Sequence, residues 1–105
     1  MSKSVEIIKL SGIIDGTTSR NLRDEVDNLL DNKPDYILLD FQDVTFMNSS
    51  GLGALVSIFK KVRAENADLH LCSLNEQVEM IFSLTTMDNV FTIHKNQADF
   101  NKSIQ

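Results

Sequence analysis

Tryptophan is absent from this chain, and cysteine, proline and tyrosine occur once each. A lone Cys72 cannot close an internal disulfide, so the small stapled scaffolds of secreted proteins are excluded and a reducing compartment is the simpler expectation. Long apolar runs are missing too. No stretch approaches the roughly 20 apolar residues a membrane-spanning helix needs, and Glu6 and Lys9 interrupt the N-terminal segment where a leader would carry its apolar run. A cytoplasmic location is therefore expected. Positive charge is scarce, with ten Lys and Arg against fifteen Asp and Glu and a net charge of −5. The basic residues are scattered and form no stripe that could neutralise phosphates along DNA or RNA, so neither nucleic acid nor an anionic membrane surface is an expected partner.

What is present is the make-up of one ordinary globular domain spanning residues 1–105, 42% hydrophobic and 24% charged, enough for a single core. No repeat, linker or low-complexity segment interrupts it. Val5–Leu10 reads as a strand, continued by an extended piece to Asp15. Thr17, Thr18 and Ser19 offer caps for a helix whose apolar stripe is Leu22, Val26, Leu29 and Leu30, ending near Asn32 before Pro34. Tyr36–Asp40 is a short apolar run that suits a central strand, and Phe41–Phe46 is predicted to be a connection with Val44 and Phe46 tucked inward. Leu52, Leu55, Val56 and Phe59 fall on one helical face. Leu69–Leu74 alternates like a strand, Asn75 is placed to cap a helix with Val78, Ile81 and Phe82 inward, Val90–Ile93 is a last strand, and Ala98–Ile104 a short terminal helix. Met47, Met80 and Met87 read as core filler. Strands alternating with helices predict an α/β domain with a largely parallel sheet.

Catalytic motifs fare poorly. The glycines of Ser50-Gly51-Leu52-Gly53 lack the third glycine of a dinucleotide fingerprint, which would stand at Val56, and lack the Gly-Lys-Ser/Thr ending of a phosphate-binding loop. Ser49 with Gly51 is half of a nucleophile elbow, but Met47 occupies the first glycine position. His70 and His94 are the only candidate bases, and no close His/Cys pair marks a metal site. No metal, no cofactor and no enzyme activity are expected. Asn48-Ser49-Ser50-Gly51 stands out because a helix is predicted to start there. Ser49 or Ser50 could cap that helix while Gly51 eases the turn. The same geometry would tolerate a phosphate on a serine, since helix-start N–H groups and the dipole favour negative charge.

The stretch FMNSSGLG resembles the phosphorylation motif of STAS domains of the bacterial anti-sigma factor antagonist family, whose usual form is Asp-Ser-Ser/Thr-Gly-Leu-Gly. LSGIID near the N-terminus resembles the family's Gly-x-Leu/Ile-Asp signature through Gly12 and Asp15. LNEQVEMIFSLTTMDNVFTI resembles its C-terminal helix and strand. The three blocks stand in the family's order, and the resemblance covers nearly the whole chain. The resemblance implies the STAS fold, about four strands with about four helices. It implies that Ser49 is the phosphoacceptor, with Ser50 at the motif's Ser/Thr position and second in line. The modifying partner would be a serine kinase of the histidine-kinase-like ATPase type that doubles as an anti-sigma factor, bound by the unphosphorylated protein, and a PP2C-type phosphatase would reverse the mark.

Residue by residue, the implied partner surface takes in Asp15, Thr17, Asn48, Ser49, Ser50, Gly51, Ser57, Lys60 and Lys61. Asn48 stands where the family usually has Asp, which removes a negative charge beside the acceptor hydroxyl. Two other functions share parts of this reading. STAS domains also serve as accessory subunits of lipid-transporting ABC systems, where co-purification with an ATPase subunit would be the sign. A small nucleotide-binding domain would instead show a rise in thermal stability with nucleotide.

Overall fold

The computed structural model describes residues 3–105. In chain order it contains β1 (Val5–Ile14), α1 (Thr18–Leu30), β2 (Tyr36–Met47), α2 (Ser49–Ala64), β3 (Asp68–Cys72), α3 (Glu76–Leu84), a 3-10 turn at Met87–Asn89, β4 (Thr92–His94) and α4 (Gln97–Ser103). The strands form one sheet in the order β1-β2-β3-β4, and each neighbouring pair is parallel. Parallel neighbours need crossovers, and helices supply them. The α/β class, the four strands and the four helices agree with the sequence reading.

The sheet is covered unequally. Ile37, Leu39 and Phe41 of β2, with Ile8, Leu10, Leu69 and Leu71, pack under Leu22, Val26 and Leu30 of α1, Leu55, Ile58 and Val62 of α2, and Val78 and Phe82 of α3. Leu38 and Cys72 alternate with those residues along their strands and so point the other way. They meet Phe100 of α4 in a separate small cluster. Ile37, Leu38 and Leu39 are all fully buried, as a central parallel strand requires.

Several boundaries differ from those expected. Phe41–Phe46 is not a connection but the second half of β2, which runs unbroken to Met47 and pairs there with β1. The pairing register shifts between Lys9 and Ser11 and again between Gly12 and Ile13, with Gly12 at φ +71°. Those bulges break the period-2 alternation, which is why the stretch does not look like a strand. Val44 is buried, but Phe46 is 45% exposed rather than inward. On α2, Val56 and Phe59 are only half-buried, and Ile58 and Val62 complete the core stripe instead. Phe59 lies on its flank against Phe91, 5.1 Å between ring centroids. β3 stops at Cys72 because Ser73 turns to φ 63°, and β4 begins two residues later than expected, at Thr92. Met47 is fully buried, whereas Met80 is 59% exposed and fills no core.

Leu55 is fully buried at the centre of the α2 contact. Leu55→Ala is expected to lower unfolding stability by about 2–5 kcal/mol, through lost burial and the cavity left behind. Urea denaturation followed by circular dichroism checks this.

Candidate functional site

β1 and β2 end side by side, with Ile14 opposite Met47. Beyond Met47 the chain turns through Asn48, which is extended (φ −104°, ψ 179°), and its Oδ1 accepts the Gly51 N–H at 2.9 Å. Asn48, not Ser49 or Ser50, therefore caps α2. A cap must hold extended backbone while its side chain reaches forward, and both serines already lie in the helix. That leaves Ser49 and Ser50 exposed in the first turn.

Gly51 is buried against the end of β1. A Cβ there would lie 2.2 Å from the Ile14 carbonyl oxygen and 2.8 Å from its carbon, so only glycine fits without moving backbone. Gly51 is thus a buried packing residue, unlike the exposed serines beside it in the expected binding surface. The Asn48 N–H donates to the same Ile14 oxygen at 3.3 Å.

The loop after β1 is held by its own carboxylate. Asp15 Oδ1 accepts the N–H groups of Thr17 and Thr18, each at 2.9 Å, and Thr18 Oγ1 accepts the Asp15 N–H at 2.9 Å. This reciprocal arrangement has the logic of a capping box. Thr17 makes no side-chain cap, and Ser19 donates back to the Asp15 carbonyl at 2.6 Å, so Asp15 starts α1 instead of the three hydroxyl residues expected to. The Thr18 N–H is the largest influence on the Asp15 carboxyl and holds its pKa below the ordinary 3.8, against a smaller opposing effect of desolvation. Gly16 carries this loop alongside α2, where a Cβ would lie 3.7 Å from the Ser50 Cβ. Asp15, Thr17, Ser49 and Ser50 thus share one edge at the carboxyl ends of the strands, the usual position for sites in open α/β sheets.

Two side chains at the start of α3 position this junction, and one of them has no signal in the sequence. β3 ends opposite Asp40, so the rest of β2 has no strand on that flank. Gln77 of α3 takes the place of one. Its Oε1 accepts the Met47 N–H at 2.9 Å and its Nε2 donates to the Met47 carbonyl at 2.8 Å. Asn75 caps α3 through Val78 N–H (2.9 Å), as expected, and also donates to the Val44 carbonyl at 3.0 Å. Together they fix the chain just before Asn48. The Asn75 cap is readable locally; a glutamine reaching back 30 residues has no local signal.

The other expected contacts lie further along α2. Ser57, Lys60 and Lys61 are exposed, but at a helical rise of about 1.5 Å per residue they stand roughly 12, 16 and 18 Å from Ser49. Lys61 forms an ion pair with Asp27 of α1. The structure brings these three to the exposed side of the helix and not to the serine edge. The histidines are no closer to a catalytic role. They bond to each other, and His70 shares the α4 side of the sheet with Cys72. Among the described residues, no group of three or more His, Cys, Asp or Glu could hold a metal, and no helix is long and apolar enough to cross a membrane.

This fold, with a serine pair opening its second helix, matches a known family. The STAS domain model matches residues 2–100, and the chain belongs to that family. It is 26% identical over 98 residues to the anti-sigma F factor antagonist of Paenibacillus polymyxa, covering 92% of this chain and 84% of that protein. An anti-sigma factor antagonist from Mycobacterium paratuberculosis superposes with a TM-score of 0.84 at 21% identity, over 99% of this chain and 88% of that one. The Bacillus cell fate determinant SpoIIAA in its phosphorylated form gives a TM-score of 0.70 at 15% identity, over 98% and 94%.

Asn48→Ala is expected to cost about 0.5–2 kcal/mol and Asn48→Asp close to nothing, since either Asn or Asp can cap; thermal unfolding compares them. The Asp15 carboxyl is expected to titrate below 3.8 by carbon NMR. Its depressed value means the loop is held by the ionised carboxylate above pH 3.8 and loses that support as pH falls through the folded value.

Proposed function

We propose that this STAS domain, residues 1–105 acting as one unit, is a partner-switching regulator and a substrate rather than an enzyme. Unmodified, it binds a serine kinase of the histidine-kinase-like ATPase type that also acts as an anti-sigma factor. Phosphorylation of Ser49 ends that complex, and a PP2C-type phosphatase restores it. The observation that carries this reading is the exposed Ser49 hydroxyl in the first turn of α2, beside the self-braced Asp15 loop. The Paenibacillus polymyxa relative is named as an anti-sigma factor antagonist, and a protein of the same fold is known in a phosphorylated form.

The physical chemistry suits a switch. A phosphate adds about −1.5 to −2 charges at pH 7 to an edge that a partner must cover, which is enough to repel an interface fitted to a neutral hydroxyl. It enters at the positive end of a 16-residue helix whose first turn holds no acidic side chain. The N–H groups of Ser49 and Ser50 precede the first helical bond, from Leu52 N–H to the Asn48 carbonyl at 3.0 Å. The core is untouched, because neither serine belongs to it. The partner would grip Thr17 and the outer side of the Asp15 loop, then Ser49, Ser50 and the exposed face of α2 towards Ser57 and Lys60.

Incubation with the kinase and ATP is expected to place one phosphate per chain on Ser49, read by phosphopeptide mapping. Ser49→Ala should take up none and bind the kinase constitutively. Ser49→Asp should weaken binding, though less than phosphate, since one carboxylate carries less charge. Phosphate uptake by Ser49→Ala equal to that of the wild type, or equal binding by all three proteins, would overturn the reading.

A further inference from the structure

Both histidines of the chain meet across β3 and β4. His70 Nδ1 lies 2.8 Å from His94 Nε2, with the ring planes 17° apart and the centroids separated by 5.0 Å. Phe100 of α4 stands edge-on to both rings at 5.4 Å, and Tyr36 of β2 stands edge-on to His70 at 5.3 Å. A hydrogen bond between imidazoles needs one N–H and one bare nitrogen. One added proton can go to an outward nitrogen and leave the bond intact. A second must go to the bare nitrogen between the rings. Two N–H groups on two cations would then face each other, and the contact could not persist.

The element resting on this pair is weakly held. α4 has seven residues, far short of the length at which an isolated helix is stable, and β4 is a three-residue strand at the sheet's edge. Phe100 is fully buried, but in the small cluster with Leu38 and Cys72 and outside the main core. Beyond the short β3–β4 ladder, the segment is tied down by Gln97 Nε2 donating to Asp40 Oδ2 at 2.7 Å and by the Ser73 N–H donating to the His94 carbonyl at 3.3 Å.

We propose that the His70–His94 pair is a proton-operated latch, and that protonation of both rings releases β4 and α4 from the sheet while β1–β3 and their three helices stay folded. The release would bare Cys72 and Leu38 on the face opposite α2. Burial is the main reason both rings resist protonation, and the neighbouring His94 adds to it for His70. Two carboxylates oppose this, Asp68 on β3 acting on His70 and Asp99 on α4 acting on His94. Other charged or titratable groups nearby include Lys95, next to His94 in the chain, Arg63 of α2, which shares a small cleft with Asp68 and His70, and Asp40, Tyr36 and Cys72 within the sheet. Because the folded rings bind protons less readily than free histidine, the latch is fully closed above the ordinary 6.5 and opens as pH falls below it.

Hydrogen exchange on the full chain, corrected for the intrinsic rate, tests this at about pH 7.5 and about pH 5, on either side of the histidine range. Protection of residues 92–103 should fall about tenfold or more between the two, while residues 52–62 of α2 keep theirs. His94→Gln retains a donor and an acceptor without titrating, so it should remove the pH step; His70→Gln repeats the test independently. Phe100→Ala should open the segment at both pH values and make Cys72 reactive to a thiol reagent at the higher one. Equal loss of protection in α2, no loss anywhere, a pH step surviving in both glutamine variants, or a closed segment in Phe100→Ala would each overturn the latch.

Discussion

The first turn of α2 presses so closely on the end of β1 that residue 51 can carry no side chain; a Cβ would sit 2.2 Å from the Ile14 oxygen. Much of the site's geometry follows from that contact. With Gly51 against Ile14, the backbone before it must turn sharply out of β2, and Asn48 occupies the extended position from which a side chain can cap the helix. With Asn48 spent on the cap, the two serines that follow have no structural task and their hydroxyls face solvent. The exposed serine pair is therefore a consequence of the buried glycine and not an independent feature. Gln77 holds the other side of the same junction by imitating a neighbouring strand at Met47. An unpaired strand flank is costly when buried, and two side-chain bonds settle it.

The two faces of the sheet carry different loads. Three helices and most of the core lie on one side, so that side sets the stability of the whole. On the other, one short helix packs its Phe100 against buried Leu38 and Cys72 and a pair of histidines. Such an element can open at lower cost than global unfolding, because little of the main core leaves with it. The serine edge belongs to the well-braced side. The proposed change of charge at Ser49 and the proposed protonation of His70 and His94 would thus act on separate parts of one small domain.

The architecture was legible because it rests on local signals. The helical spacing in α1, the apolar centre of β2 and the asparagine before α3 each announce their elements. What failed to show was anything set by pairing across the chain. The bulged register between β1 and β2 disguises Phe41–Phe46 as a connection, since each shift reverses which residues face the core. The serines look like the cap of α2 by residue type, although position along the backbone decides that Asn48 caps. The His70–His94 contact joins residues 24 apart and leaves no mark in spacing. Asp15 lies on the edge, but its carboxylate first serves its own loop, where two N–H groups already claim it.

Asn48 ties these points together. The family's usual aspartate and the asparagine here are near-equal caps, so the fold is indifferent between them. They differ in one respect, a negative charge beside Ser49, the serine proposed to accept a phosphate. With aspartate, a phosphate on the neighbouring serine would meet like charge on one side and the helix dipole on the other, two influences of opposite sign. With asparagine only the favourable one remains in that first turn, and the other carboxylate on the edge, at Asp15, has already given its Oδ1 lone pairs to Thr17 and Thr18. If Ser49 carries the proposed phosphate, the substitution shifts the balance towards the modified form without touching the contacts that hold the domain together. A cap that is neutral rather than charged is the smallest change that could alter how long such a mark lasts while leaving the fold as it was.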